Sequence, residues 1–264
     1  MSVFKIDVKA FKIDPADARK HFQGLAHLAE IADRHEDMCA FMREVVKAAA
    51  NGPDLDFDER NLLSVAYKNA VGARRASWRA LGSDSAAPPT IARFREFVER
   101  ELEALCRDVL DLLENILIPH ERATEEARVF YQKMAGDYYR YLAEFIVGPE
   151  LETYQTKSAE FYEKAMNTAQ AIMEPTDPVR LGLALNYSVC LYEILKDRDR
   201  ACQLARSAFD EAIARVETLK EPQYKDGTLI LQLLRDNLTL WTNQADEADA
   251  QYSNQQQIGD QHPQ

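Results

Sequence analysis

A chain of 264 residues, 46% of them apolar, can bury a full core, and its length suits one large or two small domains. Its 32 Lys and Arg against 44 Asp and Glu give a formal net charge of -12, which sets most of its surface against DNA, RNA and anionic membranes. No apolar run approaches the roughly 20 residues of a membrane span, so neither nucleic-acid binding nor membrane insertion is expected.

The opening stretch, MSVFKIDVKAFKID, alternates charged with apolar residues and lacks the apolar block of a secretory signal, so a cytoplasmic chain, with nuclear shuttling left open, is expected. Residues 3–13 alternate at period two, a weak strand signal, and FKID recurs at 4–7 and 11–14. Beyond it, breaks at Asn51-Gly52-Pro53, Gly82 to Pro89, Pro119, Gly148-Pro149, Pro175 to Pro178, Asp197 to Asp199 and Pro222 separate segments of helical periodicity. Nine helices are predicted over 15–33, 36–50, 57–81, 90–117, 123–146, 150–173, 178–195, 198–219 and 223–244. Phe94, Val98, Leu102, Leu105, Val109, Leu112 and Leu113 give the fourth its buried stripe. Asp58 and Asp177 read as N-caps, the second followed by Pro178 at the first helical position. The residues after Thr242 are polar and Gln-rich, a tail expected to be disordered. Cys39, Cys106, Cys190 and Cys202 lie far apart and read as reduced thiols, and the sequons at Asn186 and Asn237 read as chance matches.

Within this acidic chain, LLSVAYKNAVGARRASWRAL (62–81) gathers Lys68, Arg74, Arg75 and Arg79. Lys68 and Arg75, seven residues apart, share a helix face about 10 Å apart along the axis. A second stretch, KMAGDYYRYLAE (133–144), places Arg140 beside Tyr141. Two guanidiniums, an ammonium and a phenol suit a phosphate ester, each charge-assisted bond contributing roughly 1.5–3 kcal/mol. The alternative is that Arg75 and Arg140 are satisfied by carboxylates on neighbouring helices. In RLGLALNYSVCLYEIL (180–195) and YKDGTLILQLLRDNLTLWT (224–242), Asn186 and Asn237 each lie beside a leucine-bearing face. Their amides could pair with an extended peptide backbone, or the two helices could be ordinary core elements.

Together these four stretches resemble the signature segments of the 14-3-3 family, in register from about Leu25 to Thr242. The resemblance implies an all-α fold of nine antiparallel helices in an L-shaped protomer with an amphipathic peptide groove, and a cup-shaped dimer. It implies one helical domain over 15–244, flanked by a divergent, at most partly ordered extension at 1–14 and the tail at 245–264. The family's phosphate pocket falls on Lys68, Arg75, Arg140 and Tyr141, and its backbone-holding asparagines on Asn186 and Asn237. Groove-lining positions fall on Lys133, Asp137, Leu185, Val189, Glu193, Leu229, Ile230, Leu233, Leu240 and Trp241, with Asp137 placed to orient the basic cluster. The implied function is a phosphoserine- or phosphothreonine-dependent adaptor that clamps phosphorylated client proteins, with no cofactor, no metal and no catalytic residues.

Some positions depart from the family pattern. The first fifteen or so residues have no recognised counterpart, and the GSDSAAPPT link (82–90) is short. At the implied dimer interface Leu28, Ala32, Ser77, Leu81, Phe94 and Val98 supply apolar or small surface, and Arg34 and Glu101 match an inter-subunit ion pair. His21 stands where an acidic residue is usual, Phe97 where a lysine would meet Asp37, and His35 where a tyrosine is usual. Exposed pairs contribute only about 0–1 kcal/mol each, so homodimers, or heterodimers with related subunits, remain the expectation. Ser77, after Arg74-Arg75-Ala76, and Ser253 in the tail are candidate phosphosites. The tail is long enough to fold back toward the groove, about ten extended residues spanning roughly 33 Å.

Two rivals differ in kind. An enzyme lacks support, since no phosphate-binding glycine loop, HExxH or GxSxG occurs. A helical-repeat scaffold would need a repeat near 34 residues, which is not seen, but a phosphate-independent scaffold with a disabled or self-occupied groove stays open.

Overall fold

Asp56 and Glu59 show how the helices of this chain are set. Asp56 Oδ1 accepts from the Glu59 N–H at 2.9 Å while Glu59 Oε2 accepts from the Asp56 N–H at 2.9 Å, a reciprocal cap that stabilises a helix start by about 1 kcal/mol. Asp56, and not Asp58, is therefore the N-cap of the third helix; Asp58 lies inside its first turn. Glu59 also grips Arg19 from the first helix, at 2.5 Å to Nη2 and 2.7 Å to Nε, and Arg19 donates onward to the carbonyls of Pro53 and Asp54. One buried carboxylate thus fixes the entry loop, the cap and a helix pair.

The computed structural model describes residues 4–82, 88–215 and 227–243. Nine α-helices occur among them: α1 (Ala18–Ile31), α2 (His35–Ala49), α3 (Phe57–Ala80), α4 (Pro89–Leu112), α5 (Glu125–Ala143), α6 (Pro149–Ile172), α7 (Pro178–Val189), α8 (Arg198–Ile213) and α9 (227–243). No strand occurs among the described residues. α4 and α7 each run on into a π-helical turn, at Leu113–Leu117 and Cys190–Ile194. The GSDSAAPPT link, the tail and Ser253 lie wholly or largely outside the described residues.

The period-two stretch near the N-terminus does not form a strand. Instead Val8–Phe11 makes a 3₁₀ turn capped by Asp7, Phe4 is buried, and the Phe11 ring meets Phe41 edge-on at 5.4 Å. A lone strand would leave its ladder groups unpaired; the capped turn pairs part of them locally while Phe4 is buried and Phe11 meets Phe41.

Within the span read as one domain, the chain divides into two compact units, with the boundary inside α6 after Phe161. In the first, α1 packs on α2, α2 on α3, α3 on α4 and α4 on α5, joined by short connections. Its core holds Met38, Met42, Leu63, Tyr67, Leu102, Leu112, Tyr131 and Leu142. Tyr67 donates to Asp108 at 2.5 Å, and Arg43 also pairs with that buried carboxylate, so α2, α3 and α4 share one satisfied polar centre. In the second unit α7 packs on α8. Asp177 caps α7 by accepting from Val179 N–H at 2.7 Å, with Pro178 at the first position, as the sequence predicts. Tyr162 stacks on Tyr187, and Tyr192 on Trp241 at 4.6 Å. Cys39, Cys106 and Cys190 are buried thiols and Cys202 is half-buried.

Candidate functional site

The basic cluster of the first unit is built by the C-terminal turns of α3 and the last three turns of α5. The Arg75 guanidinium lies 4.0 Å over the Tyr141 ring and that of Arg140 4.6 Å from the same ring. Two like charges so placed are tolerated because the ring's negative face attracts both. Two carboxylates complete the balance. Asp137 accepts from Lys133 at 3.0 Å and from Arg140 at 3.4 Å. Glu144 accepts from Arg75 at 2.6 Å and 3.1 Å through separate oxygens, and from Arg79 and Arg140 at 3.4 Å each.

Burial sharpens these interactions. Arg140 is only 7% exposed and Asp137 is buried beside it, whereas Lys68 is exposed and no ion pair holds it among the described residues. Burial and the Asp137 carboxylate push the Tyr141 hydroxyl above the usual tyrosine range, with Arg140 and Arg75 pulling the other way. The phenol therefore stays protonated at neutral pH and is available as a donor. Four cations (Arg75, Arg79, Lys133 and Arg140) hold two carboxylates, so the cluster carries excess positive charge in an acidic protein. The alternative of internal pairing is thus partly realised: Arg75 and Arg140 do hold carboxylates, yet the cluster is not neutralised.

The remaining expected positions lie on the second unit. Leu185, Asn186 and Val189 are half-buried on α7, and Glu193 is exposed on the π-turn that follows. On α9, Leu229 (65% exposed), Leu233 and Leu240 present an apolar face to solvent, with Ile230 and Asn237 half-buried. Trp241 is the residue that the family pattern sets, with Leu240, at the end of the apolar wall. It is 3% exposed and stacked on Tyr192, because the same period that puts Leu240 outward turns its neighbour inward.

The profile of the 14-3-3 protein family matches residues 25–242. The chain belongs to the 14-3-3 family. It is 52% identical over 244 residues to 14-3-3-like protein 2 of Caenorhabditis elegans, covering 89% of this chain and 97% of that one. It is 52% identical over 238 residues to the checkpoint signal transducer rad24 of Schizosaccharomyces pombe (87% and 85%), and 51% identical over 233 residues to 14-3-3 protein beta/alpha-A of Xenopus laevis (85% and 94%). Like its 14-3-3 relatives, the chain is an adaptor of signal transduction.

Against this 14-3-3 background, the residue that sequence reasoning did not single out is Glu144. The signal for it was present, since Arg140 and Glu144 stand four apart on one helix, but its main partner, Arg75, is 69 residues away. The positions expected at a 14-3-3 dimer interface divide in two. Leu28 (63% exposed), Ala32, Ser77 and Phe94 (57% exposed) lie open on the single chain, and Leu81 is half-buried. Val98, at 5% exposure, is already packed within the chain and has little area left to bury. Arg34 pairs with Asp37 and Glu101 accepts from Arg74 at 3.3 Å, so both charged members have partners inside their own chain.

Proposed function

We propose that the chain is a phosphoserine- and phosphothreonine-dependent adaptor whose phosphate socket is Lys68, Arg75, Arg140 and Tyr141. The observation that carries this reading is the shared Tyr141 ring beneath Arg75 and Arg140, at 4.0 Å and 4.6 Å, within a cluster that keeps excess positive charge. A phosphate ester brings about -1.5 to -2 charge and three acceptor oxygens, which the guanidinium forks, the Lys68 ammonium and the protonated Tyr141 hydroxyl match as donors. Asn186 and Asn237 take the ligand backbone, and the leucine face of α9 with Leu185 and Val189 takes flanking apolar side chains. No step of chemistry follows binding; the adaptor masks or reshapes a client. As a homodimer, or a heterodimer with a related subunit, in the cytoplasm, it would hold two such sockets and gain about 10²–10⁴ in avidity for doubly phosphorylated clients.

Fluorescence anisotropy with an Arg-Ser-x-pSer-x-Pro peptide, its unphosphorylated twin and a Lys68→Glu variant tests the reading. Micromolar or tighter binding that needs both the phosphate and Lys68 supports it. Equal weak binding to both peptides would instead favour a phosphate-independent scaffold.

A further inference from the structure

Glu144 sits where a ligand anion would have to arrive. Its carboxylate, 11% exposed, accepts from Arg75, Arg79 and Arg140 at once, and it occupies the Nε–Nη2 edge of Arg75, the fork that grips an oxyanion bidentately. An incoming anion must share these guanidiniums with Glu144 or displace it. A singly charged ligand then only exchanges one unit of negative charge for another, and a displaced Glu144, itself largely buried, loses three partners. A doubly charged ligand adds a charge that Glu144 does not supply, and the excess of Lys133, Arg75, Arg79 and Arg140 over Asp137 and Glu144 can absorb it.

We infer that Glu144 is a specificity-determining residue: a resident carboxylate that acts as a charge filter, admitting dianionic phosphate monoesters and rejecting monoanions such as an Asp or Glu side chain or a sulfate ester. The inference rests on the phosphate-socket reading above. It is distinct from a positioning role, because it concerns the ratio between ligands of different charge and not the strength of binding as such.

The chain is titrated with three labelled anionic peptides that differ only at the central residue, phosphoserine, serine O-sulfate and glutamate, and with the unmodified serine peptide as the fourth arm. The sulfate keeps the tetrahedral oxygens and removes one charge. In Glu144→Gln, the sulfate and glutamate peptides are expected to bind about tenfold more tightly while the phosphoserine peptide changes by less than about threefold, so the preference for two charges contracts. Glu144→Asp, which keeps the charge, is expected to keep the preference. An unchanged phosphoserine-to-sulfate ratio in Glu144→Gln overturns the filter. So does an equal loss for all three peptides in a variant that melts like the parent, which would make Glu144 a support for the arginines alone. The parent chain's own arms test the underlying socket: equal binding of phosphoserine and unmodified serine peptides would overturn that reading and the filter with it.

Discussion

Arg75 sits over the ring of Tyr141, its guanidinium carbon 4.0 Å from the ring centre, although the two residues come from different helices. The ring face attracts the guanidinium, and the hydroxyl is left as the polar part of Tyr141. Half-buried sites strengthen such contacts, to roughly 1–2 kcal/mol. The ring and the hydroxyl therefore make separable contributions.

Tyr141→Phe should keep the ring beneath Arg75 and Arg140 and remove only the phosphate donor. Loss of one hydrogen bond to a charged group, about 1.5–3 kcal/mol, should weaken phosphoserine-peptide binding by roughly tenfold to a hundredfold with little change in melting temperature. Tyr141→Ala should weaken binding further and also lower stability, since both guanidiniums lose their platform. Anisotropy and thermal melts on the two variants separate the effects; identical behaviour of Phe and Ala would show that the ring contributes nothing.

Asp137 holds Lys133 and Arg140 on its two oxygens and is itself buried. Asp137→Asn preserves shape but leaves the 7%-exposed Arg140 with one carboxylate fewer. Removing one member of a buried charge set typically costs several kcal/mol. Here Glu144 and Tyr141 still hold the guanidinium, so a loss of about 1–2 kcal/mol in urea unfolding is expected. Because a ligand that binds only the folded state stabilises it by mass action, saturating phosphoserine peptide should restore much of this loss. Failure of the peptide to stabilise the variant would argue against Arg140 contacting the phosphate.

How much of the molecule is legible in the sequence depends on range. The Asp177-Pro178 cap is a signal contained within a few residues, and it holds. The basic run at Arg74-Arg75 and the adjacency of Arg140 and Tyr141 mark the cluster's arginines from residue order alone. The choice between Asp56 and Asp58 turns on which carboxylate Glu59 can reciprocate, a three-residue geometry that residue type alone does not decide. Period two at the N-terminus misleads because alternation reports two faces, not a partner strand to pair with. The Glu144–Arg75 bond joins residues far apart in the chain, and no local pattern encodes it. Trp241 fits the apolar period of α9 yet faces inward, since period alone does not say which side of a helix meets Tyr192.

The open apolar side chains of α1 and α4, Leu28, Ile31, Phe94 and Phe97, predict self-association. Sedimentation velocity at micromolar concentration should give a dimer, and Phe94→Asp should shift it to monomer. Ser77 is exposed, with its hydroxyl donating to the Ala73 carbonyl at 3.0 Å, so a kinase can reach it on a single chain. Ser77→Asp should raise the dimer dissociation constant by introducing charge beside this surface. A Ser77→Asp variant that stays fully dimeric on dilution would rule out Ser77 as a regulatory site.

Alkaline pH should destabilise the protein in a defined direction. Burial raises the hydroxyls of Tyr67, Tyr138, Tyr141 and Tyr187, and it acts with the Glu114 carboxylate to push Tyr139 up to about 12 against the pull of Lys157. An unfolded tyrosine ionises near 10. Below that pH a tyrosine is neutral in both states and its contribution to stability is intact. Between about 10 and 12 the unfolded chain releases protons that the folded chain retains, so stability falls as pH rises through this window. For Tyr139 the fall should level off above about 12, where the folded hydroxyl also ionises. Urea midpoints at a series of pH values should therefore begin to fall at about 8.5, where unfolded thiols ionise while burial keeps Cys39 and Cys106 protonated in the fold, and should fall further beyond about 10, with tyrosinate absorbance lagging behind the unfolded control. Tyr139→Phe should flatten part of that decline. A midpoint that held constant to pH 12 would mean these hydroxyls ionise as freely in the fold as in water.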